Sequence, residues 1–236
     1  MALAFEGWLD GLTAAGIVLS ATGFGIVSLI KSIKLKAKLL TVAALLMFFT
    51  GLLWLGPFTD FILVLVTGKN LDPPTTYAIL SYMWVALALV FALYLGGELL
   101  WPNGKWILVG IYIGLGIMFE GFLWLDTKNS FEVLGVEAGK EGELLIDAAF
   151  NQTHPTFILV AVFLLTTLVF LGIGFLIKAK QSTGLLRRKF IFLSIGFIVF
   201  VVCGALDSII EIVPLIGAIR LVMMTFALWL YLGLKT

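Results

Sequence analysis

The sequence predicts an all-α polytopic membrane protein, a single bundle of seven transmembrane helices with its N-terminus outside the cell and its C-terminus inside. Three observations carry that expectation. Of 236 residues, 61% are hydrophobic and 12% charged, against roughly 45–50% and about 25% in soluble domains. Seven apolar stretches each provide about the 20 residues that a helix rising 1.5 Å per residue needs to cross the hydrocarbon layer. Lysine and arginine gather in alternate loops, the asymmetry that marks the cytoplasmic side.

The first span, about 8–30, has no basic segment before it and is followed directly by Lys31, Lys34, Lys36 and Lys38; a cleaved signal peptide has the opposite charge order, so this is a retained helix. The second, about 39–60, runs outward to Asp60 with Pro57 near its outer end, where a missing N–H costs least. The third, about 76–100, and the fourth, about 106–125, meet at an inner turn flanked by Trp101 and Trp106, while Trp8 and Trp124 anchor the outer surface. An outer loop, 126–155, leads to the fifth span, about 156–177. The sixth, about 190–211, follows Lys178, Lys180, Arg187, Arg188 and Lys189, and the seventh, about 214–234, starts at Pro214 and stops at Lys235. With Lys105, eleven of the fifteen basic residues fall on the inner side, and three (Lys69, Lys128, Lys140) on the outer. The cell membrane is the expected location.

Small residues allow close helix contacts in lipid. Gly110 and Gly114 form a GxxxG, Gly23/Gly25 and Gly172/Gly174 sit in the first and fifth spans, and packing within one bundle is their expected use, with a homo-oligomer seam as the alternative. Helices one to three and five to seven share a weak pattern of Gly, Lys and Asp positions and a Phe-Ala-Leu close, the mark of a 3+1+3 parallel duplication found in some transporters.

Ionisable groups at bilayer depth persist where they are paired or used. Glu120 lies fourteen residues beyond Trp106, roughly 21 Å from the inner face, and Arg220 lies six residues into the seventh span at the same level. An Arg220–Glu120 pair is therefore expected, either as a salt bridge or as a ligand site. Asp60, Asp126, His154, Asp207 and Glu211 stand at outer helix ends; converging, they form an acidic vestibule, and otherwise they sit in headgroup water. Glu98, at the inner end of the third span, is expected to pair with Lys105 or with Arg187, Arg188 and Lys189, and the basic clusters to touch anionic lipid. The outer loop is a candidate lid or interfacial helix pair, and Asn151-Gln152-Thr153 is a glycosylation sequon.

A net charge of +1 excludes nucleic acid as a partner. One histidine and one cysteine, Cys203, on different helices lack zinc spacing, and no EF-hand pattern occurs, so no metal or cofactor is expected. No nucleophile–base arrangement is visible, so an enzyme is not expected.

The topology resembles that of G-protein-coupled receptors, but Glu98 is followed by Leu99 and Leu100 and the seventh helix lacks Asn-Pro-x-x-Tyr. Microbial rhodopsins share the topology, but a retinal lysine is missing from the seventh helix, where Arg220 stands. Gly184 to Phe190, running to Gly204-Ala205-Leu206-Asp207, resembles the helix 5–6 region of seven-helix sensor modules that precede prokaryotic histidine kinases, and equally that of free-standing archaeal seven-helix proteins. That resemblance implies signal reception in the outer half, around Asp60, Glu120, Asp207 and Arg220. With no kinase after Thr236, the signal would pass to a separate cytoplasmic partner through the inner loops. The leading expectation is thus a stand-alone sensor-like or receptor-like membrane protein, the alternative a small ion or solute transporter or channel, and the third a structural subunit of a membrane complex.

Overall fold

The computed structural model describes residues 3–134, 142–210 and 212–235. Seven apolar helices are long enough to cross a membrane: α1 (Phe5–Leu35), α2 (Lys38–Thr67), α3 (Thr75–Leu100), α4 (Pro102–Leu125), α5 (Pro155–Lys180), α6 (Gly184–Asp207) and α7 (Pro214–Leu234). Each packs on its neighbours in sequence, and α7 returns against α1 and α2 to close a ring, with α3 also touching α5 across it. The outward surface is a coat of exposed Leu, Ile and Val, among them Leu19, Ile33, Val66, Ile117, Leu165 and Leu185. In water such a coat would drive aggregation; in a bilayer it faces acyl chains.

The boundaries correct the expected ones at α6, which begins a turn and a half earlier and ends at Asp207. Arg187, Arg188 and Lys189 belong to its first turns, because long basic side chains reach the headgroups from inside a helix. The N-terminus and the loops after α2, α4 and α6 lie at one end of the bundle, hereafter the lid end; the C-terminus and the lysine-rich loops lie at the other, the basic end.

Four spans are interrupted. In α2 a tight 3-10 turn, Leu52–Trp54, precedes Pro57, whose missing N–H leaves the carbonyl one turn back without a helical partner. In α5 the segment Thr167–Ile173 is π-helical, and the Ser194 hydroxyl of α6 donates to the Gly172 carbonyl there at 2.7 Å. Both α3 and α7 break, at Met83-Trp84 and Met224-Thr225. Each break opens the same local pattern, Met-x-x-Ala-Leu (Met83, Ala86, Leu87 and Met224, Ala227, Leu228), six residues out of register with the Phe-Ala-Leu match read in the sequence.

The loop between α4 and α5 forms an antiparallel hairpin, β1 (Phe131–Leu134) with β2 (Asp147–Phe150), in the register Phe131↔Phe150 to Leu134↔Asp147. Its described residues fold over the end of the bundle as a hairpin and not as a helix pair, and this segment is called the lid below. Phe131 and Phe150 pack on Tyr82 of α3 with centroids 5.0 and 4.5 Å away, and Leu145, Ile146 and Ala148 are buried against the bundle. At the basic end the interior is closed by Leu171, Phe175, Phe190, Leu193, Phe197 and Leu230.

The GxxxG expectation is corrected. Around Gly110 and Gly114 nothing lies within 4 Å of where a Cβ would stand. The face of α4 that meets the bundle carries Val109, Gly116, Phe119 and Leu123, so the glycine stripe points away from it. Close approach is made instead by Gly25, where a Cβ would stand 3.1 Å from the Ala44 carbonyl, and by Gly51, where it would stand 2.5 Å from the Ala21 Cβ.

Candidate functional site

Beneath the lid, three charged side chains from three helices meet. Arg220 of α7 is 5% exposed; its Nε donates to Asp207 Oδ1 of α6 at 2.7 Å and its Nη1 to Asp10 Oδ1 of α1. The Trp54 indole N–H, at the interruption in α2, reaches the other Asp207 oxygen at 3.3 Å. Four helices thus converge on one polar cluster within an apolar interior. The expected Arg220–Glu120 pair is not formed. α4 stands among α3 and α5 whereas α7 stands among α6, α1 and α2; depth along a helix says nothing about its position around the ring.

Asp10 is a partner that sequence reasoning did not single out. Because α1 begins at Phe5, Asp10 is inside the helix, in the 10, 14, 17, 21 register with buried Ala14, Ile17 and Ala21. That register was the available signal. Tyr77 of α3 was also missed: it is buried and lies within electrostatic reach of Asp10, Asp147 and Arg220. Asp147, exposed at the start of β2, stands above it.

Asp60 has a different task from the vestibule acid expected of it. Fully buried, it accepts the Leu71 N–H at 2.7 Å, the Ile146 N–H at 2.8 Å and the Asn70 amide at 3.0 Å. Asn70 in turn donates to the Leu144 carbonyl at 2.9 Å and accepts the Gly142 N–H at 2.7 Å. One carboxylate and one amide clamp the lid strand to the loop after α2. The Ala4 N–H adds a third tie, to the Glu143 carbonyl at 2.9 Å.

His154 caps α5: its Nδ1 accepts the Thr156 N–H at 3.3 Å, so Nε2 carries the proton toward Asp126 Oδ2, also 3.3 Å away. It holds the base of the lid to the end of α4. The sequon is occupied locally, since the Asn151 amide nitrogen donates to the Asn129 carbonyl at 3.0 Å. Glu120 accepts the Trp124 indole N–H at 3.1 Å while its second oxygen is buried without a partner among the described residues. Glu211 lies outside the described residues.

At the basic end Glu98 pairs with Lys105, whose ammonium also sits 4.7 Å from the Tyr94 ring centre and 4.9 Å from that of Trp106. Neighbours on one turn thus win over the Arg187, Arg188 and Lys189 cluster. Lys178 lies in the last turn of α5, and Arg187 and Arg188 are exposed. Among the described residues no three His, Cys, Asp or Glu side chains are placed to hold a metal ion.

Comparison with protein-family models and with curated proteins gives no match. The fold and the chemistry of its buried groups are therefore the ground for function: the chain is a multi-pass, seven-helix membrane protein.

Proposed function

We propose that the chain is a receptor-like or sensor-like protein of the cell membrane that takes up a small cation in the outer half of its bundle, against Asp10, Asp207 and Arg220 and beneath the lid. The observation that carries the reading is a charge imbalance: two carboxylates face one guanidinium. If both acids are ionised the cluster holds an uncompensated negative charge in an interior where unpaired charge is costly. A proton, a monovalent ion or a small organic ammonium removes that cost, and the Tyr77 hydroxyl offers a further oxygen. The lid end is then the outer face, in keeping with the basic residues at the other end. The packed aromatic plug at the basic end favours a receptor over an open channel, leaving the basic loops to meet a cytoplasmic partner.

The test is a thermal-unfolding screen of detergent-purified protein against protons, alkali ions and small amines, wild type beside Asp10→Asn. Stabilisation by one cation, lost in Asp10→Asn, supports the reading. Equal responses of both proteins to every cation, or none, end it.

A small transporter is the second reading, favoured by the interruptions in α2, α3, α5 and α7, since broken helices surround the sites of many transporters. Proteoliposome flux that Asp10→Asn abolishes would establish it in place of the receptor.

A further inference from the structure

At the basic end, the start of α6 and the finish of α7 enclose a groove of about 260 Å³ lined by Leu185, Arg188, Lys189, Phe192, Leu232 and Lys235. Its walls differ in chemistry. One is cationic: Arg188 is set 5.3 Å over the Phe192 ring, and Lys235 is positioned by its own N–H, which donates to the Tyr231 carbonyl at 2.8 Å. The other is apolar, made by Leu185, Phe192 and Leu232.

Among the described residues no carboxylate balances these cations. Glu98 is the one acid among the described residues of this end, and it is engaged by Lys105. Three positive charges stand together against an apolar wall, at the level where a helix of this bundle leaves the hydrocarbon. A free inorganic anion uses only the cationic wall. A phospholipid uses both, its phosphodiester on the arginine fork and the lysines and the first methylenes of a chain along the leucines and the phenylalanine.

We propose that this groove binds an anionic phospholipid of the adjoining leaflet, with Arg188, Lys189 and Lys235 on the headgroup and Leu185, Phe192 and Leu232 on the acyl chain. Basic pockets between membrane helices recognise such headgroups by the same chemistry. The site is independent of the cation cluster beneath the lid.

The experiment measures the unfolding temperature of the full chain in neutral detergent during titration with phosphatidylglycerol, phosphatidylcholine or inorganic phosphate. Wild type is compared with the triple variant R188Q/K189Q/K235Q, with R188Q alone, and with a charge-matched control, K34Q/K36Q/K178Q, drawn from outside the groove. Phosphatidylglycerol is expected to stabilise wild type and control alike. Its apparent affinity falls on the order of 100-fold in the triple variant and about fivefold in R188Q, each cation near an anionic headgroup contributing about fivefold. Phosphatidylcholine and phosphate do nothing. Three outcomes overturn the proposal: phosphate stabilising as well as the lipid, which makes the groove a plain anion site; the control losing as much as the triple variant, which makes the effect diffuse surface charge; or R188Q and the triple variant responding like wild type. R188Q keeps the test decisive if the triple variant does not fold.

Discussion

Arg220 donates its Nε proton to Asp207 at 2.7 Å, and this bond joins the end of α6 to the first half of α7, just before the break at Met224-Thr225. The second carboxylate, Asp10, shares the same guanidinium from α1. The stability of the lid-end half is thus tied to a charge ratio of two acids to one base.

That ratio predicts an order among variants. Arg220→Met leaves two buried carboxylates without a cation and is expected to cost about 3–5 kcal/mol, the usual price of breaking a buried pair. Asp10→Asn leaves a one-to-one Arg220–Asp207 pair, so it costs less and the difference has a definite sign. Unfolding temperatures in one detergent check it. A larger loss in Asp10→Asn than in Arg220→Met contradicts the charge argument.

The same cluster shows how far the sequence could be read. Spans, their number and the clustering of the basic residues were legible because hydrophobic length and loop charge are properties of one helix at a time. The burial of Arg220 was legible too, as an ionisable group well inside an apolar span. Its partners were not: Asp10 comes from α1, which only the ring closure brings beside α7, Asp207 comes from the end of the neighbouring α6, and Glu120 stands on another side of the ring. The lid was legible as a lid candidate, but its hairpin was not, because four-residue strands such as Asp147–Phe150 are set by the Tyr82 platform and the Asp60 clamp and not by local pattern. Gly110 and Gly114 teach the converse: a packing motif marks a helix face without saying whether the chain itself covers it.

The clamp on the lid rests on Asp60. Asp60→Asn keeps one acceptor oxygen but turns an NH2 group toward donors that are themselves N–H groups, those of Leu71, Ile146 and Asn70. Losing buried hydrogen bonds to a charged acceptor costs roughly 1.5–3 kcal/mol each. Amide exchange at 142–150 is therefore expected to accelerate in Asp60→Asn while exchange in the core of α6 stays as in wild type. Uniform acceleration along the chain would mean global destabilisation and no separate clamp.

The cap at the start of α5 predicts a smaller, local effect. His154→Ala removes the acceptor for the Thr156 N–H and the link to Asp126, and is expected to cost about 1 kcal/mol, whereas His154→Asn restores the cap and recovers most of that loss. Thermal unfolding of the two variants checks it; equal losses would show that the Asp126 contact, and not the cap, is what His154 contributes.

Glu120 offers a prediction of opposite sign. One of its oxygens holds the Trp124 indole and the other is buried without a partner among the described residues, so the ionised side chain loses solvation that none of them returns. Glu120→Gln keeps an oxygen for Trp124 and discards the charge, and it is expected to stabilise the protein by about 1 kcal/mol, a rise of roughly 2–4 °C for a domain of this size. Thermal unfolding of that single variant measures it. A fall in unfolding temperature would mean that the charge of Glu120 is compensated, which moves the search for a ligand from the Arg220 cluster to the flank of α4.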